Sequence, residues 1–475
     1  MNVLIISSNR NALPMPVMPI GACMVAEAAE SAGHRVSLLD LMFEKDPRKA
    51  IQAAIKRSRP DVVGVSVRNI DNNDMRAPVY FIPALRTLIG AVRAVTDAPI
   101  ILGGGALSVM PEELLRATDV RLGVLGDGEV VFPMLLDRIS QNAPTDGLPG
   151  TAHTDNGTYQ QAPCASSGFS DDCLTPDYRR WLDVAAYQSG LAAAPVQTKQ
   201  GCAFKCVYCT YRKIEGNAYR FYSPESVAHS VARLAKTGLR DVELVDSVFN
   251  APYDHAMAVC ESLSRVKHGA RLQCLELNPL FFDDALVSAM ERAEFVGLGL
   301  TVESASDRVL QGLGKSFTSR EVHKAAEVLK RHALPCAWIF LLGGPGETRE
   351  TVKETLRFAE TKIGPRDVAF FNVGIRIYPG TEMEAIARRE GVLSLAPGDM
   401  LDPVFYVSPE VDAAWIAQKV KKSMRTHMNF ISSDSIGLSF LPTIHWIGSQ
   451  LGLRPPLWQH TRYIRRGLRM IGMDV

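Results

Sequence analysis

The stretch Gly201-Cys202-Ala203-Phe204-Lys205-Cys206-Val207-Tyr208-Cys209-Thr210-Tyr211 places three cysteines within eight positions, just after an apolar run at 195–199 that reads as a strand. Three thiolates on one loop converge on a soft metal centre. A structural zinc site takes four ligands, often as two CxxC knuckles, and neither a second knuckle nor a suitably spaced histidine lies nearby. Disulfide chemistry uses a CxxC pair at the start of a helix; Cys206 and Cys209 have that spacing, but Cys202 is then idle. Three protein ligands suit a four-iron cluster that keeps one iron open. The other six cysteines, Cys23, Cys164, Cys173, Cys260, Cys274 and Cys336, are scattered and read as small buried hydrophobes.

Outward from this loop, short apolar runs alternate with helical patterns in both directions. Downstream, strands are expected at 195–199, 242–245, 272–276, 298–303, 337–342 and 368–377. The helices between them fall near 224–236, 253–266, 283–292, 319–331 and 349–361. Repeated βα units of this spacing predict a partial (β/α)6 barrel, whose chemistry sits on loops at the carboxyl ends of the strands. Upstream, strands at 3–7, 36–39, 62–67, 100–102 and 122–125 alternate with helices near 21–32, 48–56, 82–95 and 111–116. That pattern predicts a doubly wound parallel sheet, which binds ligands at the carboxyl ends of its strands. Those ends carry Ser66, Gly104 and Gly126; each glycine either admits a ligand to the backbone or only makes a tight turn.

The chain therefore divides into an N-terminal α/β domain over 1–140, a linker over 141–186, a barrel over 187–400 and a helical, basic region over 401–475. The linker reading rests on Pro, Gly, Ser, Thr, Asn and Asp enrichment around 141–175. The last region has a helical pattern at 413–428, followed by Trp446, Trp458, Tyr463 and several arginines. It reads as a solvated amphipathic surface, with a lid over the barrel or a patch for lipid, membrane surface or anionic substrate as the alternatives.

With 47% hydrophobic and 22% charged residues the chain has the composition of an ordinary folded protein, and a net charge of +1 offers no field to attract nucleic acid. The start runs straight into a strand without a basic segment or cleavage site, and the apolar stretch at 436–447 is too short to span a bilayer. A cytoplasmic location is expected.

CxxxCxxC with an aromatic residue before the last cysteine resembles the signature of the radical S-adenosylmethionine (SAM) superfamily. The resemblance implies a 4Fe–4S cluster on Cys202, Cys206 and Cys209, with SAM chelated to the open iron and cleaved to a 5′-deoxyadenosyl radical. Tyr208, in the aromatic position, is then a cofactor-binding candidate. Leu300-Thr301-Val302-Glu303-Ser304 resembles the family's "gvES" element, placing Glu303 and Ser304 near SAM. Gly343-Gly344-Pro345-Gly346-Glu347 resembles its Gly/Pro-rich loop beside SAM. Ile375-Arg376-Ile377-Tyr378-Pro379-Gly380-Thr381 resembles the adenine-side strand, where Arg376 is either a carboxylate clamp or an ion-pair residue. Asp246, at the end of the second strand, either contacts SAM or substrate or caps a helix.

A doubly wound domain ahead of such a barrel is similar to the cobalamin-binding branch of the superfamily, which includes the anaerobic Mg-protoporphyrin ester cyclase and the class B C-methyltransferases. Pro19-Ile20-Gly21, the stretch 31–40 and Gly126-Asp127-Gly128-Glu129 carry this likeness, and the resemblance spans about 1–391. The Asp-x-His-x-x-Gly motif that supplies a lower cobalt ligand in the methionine-synthase type is absent, as in many members of the branch.

The resemblance implies an enzyme acting on a small molecule, served by an electron donor such as flavodoxin or ferredoxin. Its leading expectation is cobalamin-dependent methylation of an unactivated carbon. A radical dehydratase, epimerase or cyclase is the alternative, in which Tyr211, Tyr219 or Cys274 returns a proton or hydrogen atom; Tyr211 and Cys274 are the catalytic candidates. An iron–sulfur redox sensor would explain the cysteines but not the loops at Glu303, Gly344 and Arg376.

Overall fold

A computed structural model describes residues 1–163, 175–432, 440–470 and 472. Seven strands build the first sheet: β1 (Asn2–Ser7), β2 (Arg35–Asp40), β3 (Val62–Ser66), β4 (Ile100–Gly103), β5 (Leu122–Val124), β6 (Thr151–Asp155) and β7 (Thr158–Gln161). Their order is β2-β1-β3-β4-β5-β6-β7, with β1 to β5 parallel and β6 and β7 antiparallel at one edge. Alternate residues of β1 enter different cores. Val3 and Ile5 pack with the helices Ile20–Ser31 and Gly128–Ser140, while Leu4 and Ile6 face the opposite layer. Burial on both faces is why these strands read as continuous apolar runs. The register pairs Ser7 with both Asp40 and Ser66, and Ser66 with Gly103, so the carboxyl ends form one level rim.

Part of the stretch read as linker belongs to this sheet. Asn156 and Gly157, both at positive φ (47° and 81°), make the two-residue turn of the β6–β7 hairpin. Asn-Gly between strands is the strongest local hairpin signal, obscured here by the polar composition around it.

The second sheet holds β8 (Ala194–Val196), β9 (Asp241–Leu244), β10 (Arg271–Leu277), β11 (Phe295–Glu303), β12 (Cys336–Leu342), β13 (Val368–Val373) and β14 (Phe430–Ser432). All are parallel in that order, and β8 and β14 are the two ends. Six βα units form the partial barrel, and the tail contributes the seventh strand. Trp338 and Phe340 of β12 point outward to Phe358 on the helix Arg349–Lys362, while Ile339 and Leu341 line cavities on the inner face. The run expected as one strand to 377 breaks at Gly374 (φ +80°), where a Cβ would lie 2.3 Å from Met75 Sδ; Ile375–Arg376 then pairs antiparallel with Phe405–Tyr406.

The tail is more than a solvated surface. Trp458 is buried against Ala337, Val368 and Ile431, and Gln459 Nε2 donates to Val296 O at 2.6 Å. Gly297 makes room for them: a Cβ there would lie 2.7 Å from Gln459 Nε2 and 3.0 Å from the Trp458 ring. Trp446 and Tyr463 do face solvent, at 56% and 63% exposure. Among the described residues no helix is long and apolar enough to cross a membrane. Of the scattered cysteines, Cys23, Cys260, Cys274 and Cys336 are buried and unpaired, as expected, while Cys164 and Cys173 lie outside the described residues.

Candidate active site

Several contacts shape the cysteine loop. Gly201 sits at φ +87°, where a Cβ would lie 2.1 Å from Ala218 O, so only glycine fits the turn into the loop. Asp246 accepts from Thr198 N at 2.7 Å and from Lys199 Nζ at 2.8 Å, tying the end of β9 to the residues just before the loop. Cys202 N donates to Gly216 O, Val207 N to Leu313 O and Met383 N to Val207 O.

Cys202, Cys206 and Cys209 all line one cavity of about 570 Å³, with Tyr208, Ser247, Glu276, Glu303, Lys315 and Asn372 among its other walls. Burial, with the neighbouring thiols adding to it, pushes the Cys209 thiol up to about 12 and raises Cys202 as well. Thiolates here need a cationic centre. Among the described residues no three His, Cys, Asp or Glu side chains close around a single ion. Three soft donors spread over one loop fit a multi-iron cluster, in which each thiolate has its own iron.

Glu303 lies where β11 slips register against β12, and it adopts a left-handed conformation (φ 62°). Its Oε1 accepts from Tyr208 Oη at 2.6 Å and from Lys315 Nζ at 3.0 Å. Burial opposes a charge on Lys315, but Glu303 and Tyr208 prevail and hold its pKa well above the usual lysine value. Sequence reasoning missed Lys315, since nothing in Gly314-Lys315-Ser316 marks it; only the fold brings it to Tyr208. It also missed Glu276, whose carboxyl burial, then Glu303 and Glu243, push up to about 7.

A second cavity, about 360 Å³, follows the carboxyl rim of the first sheet. Ser66, Gly104 and Gly126 line it, with Ser7 and Gly128 beside them and Gln197, Gln200 and Glu215 from the barrel opposite. Gly104 holds φ +96° and a Cβ there would meet Val67 O at 2.6 Å. Among the described residues no histidine lines this cavity, and Arg68 is the one lysine or arginine there. This glycine-rich lining, with no imidazole among its described residues, fits a corrinoid held without a protein histidine. Tyr211 lines both cavities, 48% exposed where they meet. A further recess, about 850 Å³ near Arg93, Asp119 and His153, contains none of the expected site residues.

Other candidates have different roles. Cys274 is fully buried in the core and lines neither cavity, so it is not placed to exchange hydrogen with a substrate. Ser304 is buried, bonded to Thr355 Oγ1 at 3.0 Å and to Ser306 N; it braces the loop after β11. Asp246 is consumed by Thr198 and Lys199 and likewise braces. Gly343, Gly344 and Pro345 do not line the cavity; their loop packs on Gly312 and Leu313, behind the cysteine loop. Arg376 reaches the cavity wall but is neither a clamp nor a surface ion pair. It is buried, with Nε on Asp71 Oδ2 at 2.9 Å and its other donors on Ile377 O and Met400 O, joining barrel to N-terminal domain. Tyr219 packs against Phe221 and lines neither cavity.

Comparison with known proteins agrees with this geometry. Residues 196–359 match the radical SAM superfamily and residues 9–136 match the B12 binding domain. An uncharacterised methyltransferase of Pyrococcus horikoshii is 26% identical over 370 residues, covering 77% of each chain. The tryptophan 2-C-methyltransferase of Streptomyces laurentii is 22% identical over 434 residues, covering 78% of this chain and 72% of that one. The fold matches the radical SAM methyltransferase TsrM of Kitasatospora setae, solved with cobalamin and a 4Fe–4S cluster, at a TM-score of 0.85, 24% identity and 99% coverage of both chains. The cobalamin-dependent radical enzyme OxsB aligns with a TM-score of 0.70 at 15% identity, over 99% of this chain and 75% of that one.

Proposed function

Because the chain belongs to the radical SAM superfamily and carries a B12-binding domain, with a 4Fe–4S cluster, SAM and cobalamin as its cofactors, we propose that it replaces a hydrogen on an unactivated carbon of a small molecule with a methyl group. The position of Tyr211 carries this reading: the cysteine-lined cavity and the glycine-walled cavity meet at its ring. A substrate carbon at that junction has both cofactor sites within reach. The methyltransferases among the relatives support the same reaction class.

Bound there, the cluster and SAM would supply radical chemistry for removing a hydrogen atom, and cobalamin would supply methyl-transfer chemistry, with SAM as the methyl source. The protein's own part is to position and to insulate. Cys202, Cys206 and Cys209 ligate the cluster. Glu303 accepts from the amino group of SAM and Lys315 pairs with its carboxylate, a buried acid–base pair matched to a zwitterion. Ser66, Gly104 and Gly126 let the corrinoid edge approach the backbone. Glu276 stands on the cavity wall and, with its carboxyl near 7, holds or releases a proton around neutral pH. A one-electron protein donor of the flavodoxin or ferredoxin type completes the system.

Anaerobic purification with a corrinoid supply tests the proposal. The reading predicts about four irons and one corrinoid per chain, seen together in the absorption spectrum. Replacing Cys202, Cys206 and Cys209 by alanine should remove the iron and leave the corrinoid. A protein that loads iron but no corrinoid would refute methyl transfer by this route.

A further inference from the structure

The tail helices Leu441–Gln450 and Thr461–Met470 both turn one face to the barrel. Ile444 of the first, with Ile464 and Leu468 of the second, stands opposite Ile339 and Phe370 of the sheet. Residues three and four apart share a helix face, and His445, Gly448, Thr461 and Arg465 on these same faces are buried. The opposite faces of the two helices therefore look away from the barrel together.

Those outward faces are apolar and basic at once. Trp446 and Ile447 of the first helix, Leu451 just after it, and Tyr463 and Met470 of the second are all exposed, Leu451 and Met470 at 78% each. Among the described residues they are five of the twelve large hydrophobic side chains left exposed. One such residue needs no explanation, whereas a cluster marks an interaction surface. Residues 440–470 also hold five arginines and no lysine, aspartate or glutamate, although the whole chain nets only +1. Arg465 is spent on the carbonyls of His427 and Phe430. Arg466 is exposed, and the half-buried Arg462 lies 4.7 Å from the centre of the exposed Tyr463 ring.

We propose that this face seats the enzyme on an anionic lipid surface, with Trp446, Ile447 and Leu451 entering the acyl boundary and Arg462 and Arg466 at the level of the phosphates. Tryptophan, tyrosine and arginine beside aliphatic side chains are the composition of helices that lie in a membrane interface. Basic residues without acidic neighbours complement anionic headgroups. A second copy of the chain fits less well, since arginine would meet arginine with no carboxylate on this face to pair it. Nucleic acid would leave Ile447, Leu451 and Met470 without a partner, because its backbone offers charge alone. The contact is one of lying on the membrane, as no described helix is long and apolar enough to cross it. It does not depend on the reaction catalysed.

The test is co-sedimentation of the whole, reconstituted chain with vesicles of phosphatidylcholine, alone or with about 30 mol% phosphatidylglycerol. Wild type should bind the anionic vesicles at least about tenfold more tightly than the neutral ones. Salt at about 0.5 M should release most of it by screening the arginines. Arg462→Gln combined with Arg466→Gln should weaken binding to anionic vesicles at least about tenfold, since each basic residue near such a surface is worth about fivefold. Trp446→Gln combined with Leu451→Gln should weaken it to a similar degree, about tenfold or more. Met134→Gln, which removes an exposed apolar side chain from the helix Gly128–Ser140, should bind as wild type does. Iron content and melting temperature equal to wild type in every variant show that the losses arise at the surface. Failure of wild type to bind anionic vesicles, equal binding to both compositions, or full binding by either double variant overturns the proposal. So does a lipid-free dimer in sedimentation velocity that Trp446→Gln with Leu451→Gln dissociates, since that assigns the face to a second copy.

Discussion

Tyr208 Oη and Lys315 Nζ donate to the same oxygen, Oε1 of Glu303, at 2.6 and 3.0 Å. The aromatic residue inside the cysteine motif is thereby fixed to the strained end of β11 and to a buried cation. Lys315 Nζ also stands 5.3 Å from the centre of the Tyr208 ring. The cysteine loop and the Glu303–Lys315 pair thus form one unit rather than neighbouring motifs.

Lys315→Met leaves the Glu303 carboxylate buried without its cation and removes the partner proposed for the SAM carboxylate. Breaking a buried pair from one side costs the fold about 3–5 kcal/mol, and losing one charge-assisted hydrogen bond to the ligand, about 1.5–3 kcal/mol, should lower SAM affinity at least about tenfold. Lys315→Arg should recover part of it, with iron content unchanged. Equilibrium dialysis of SAM beside an iron assay reads both.

At the junction of the cavities, Tyr211→Phe keeps the wall and Tyr211→Ala opens it. If the ring is what matters, Tyr211→Phe retains most of the turnover and Tyr211→Ala loses at least about tenfold, with corrinoid still bound. Equal losses in both variants would assign the work to the hydroxyl, as a hydrogen or proton donor.

Gly104→Ala puts a Cβ 2.6 Å from Val67 O at a φ of +96°. Such a change costs about 1–3 kcal/mol. Corrinoid stoichiometry and melting temperature should both fall, while iron and SAM binding, set by the other domain, stay.

Glu347 is fully buried, accepting from Gly343 N and Thr351 Oγ1, and burial lifts its carboxyl from 4.5 to about 7. The folded state therefore holds a proton that the unfolded state releases near 4.5. Its stabilising contribution is full below that pH and declines as the pH rises to about 7, by up to about 3 kcal/mol. Glu347→Gln should flatten this part of the melting curve against pH, leaving the share due to Glu276, which is also raised to about 7.

Both sheets, the cysteine loop and the glycine rim are legible from the sequence because each rests on local pattern: apolar periodicity, CxxxCxxC spacing, glycine after a strand. What depends on distant partners is not. Arg376 looks like a ligand clamp until Asp71, from the other domain, is seen to hold it. Lys315 is unremarkable until the chain returns it to Tyr208. Ser304 and Gly343 sit in motifs at the site, yet they support it from behind through Thr355 and Glu347. The Asn156-Gly157 hairpin was readable, but polar composition on both sides gave it the look of linker.

The most direct measurement is a product count from the anaerobically reconstituted, corrinoid-loaded protein given SAM, a one-electron reductant and its small-molecule substrate. The proposed reaction predicts 5′-deoxyadenosine and S-adenosylhomocysteine in equal amounts, with one methyl group gained by the substrate. Formation of 5′-deoxyadenosine without S-adenosylhomocysteine, and a product of no added methyl mass, would contradict it.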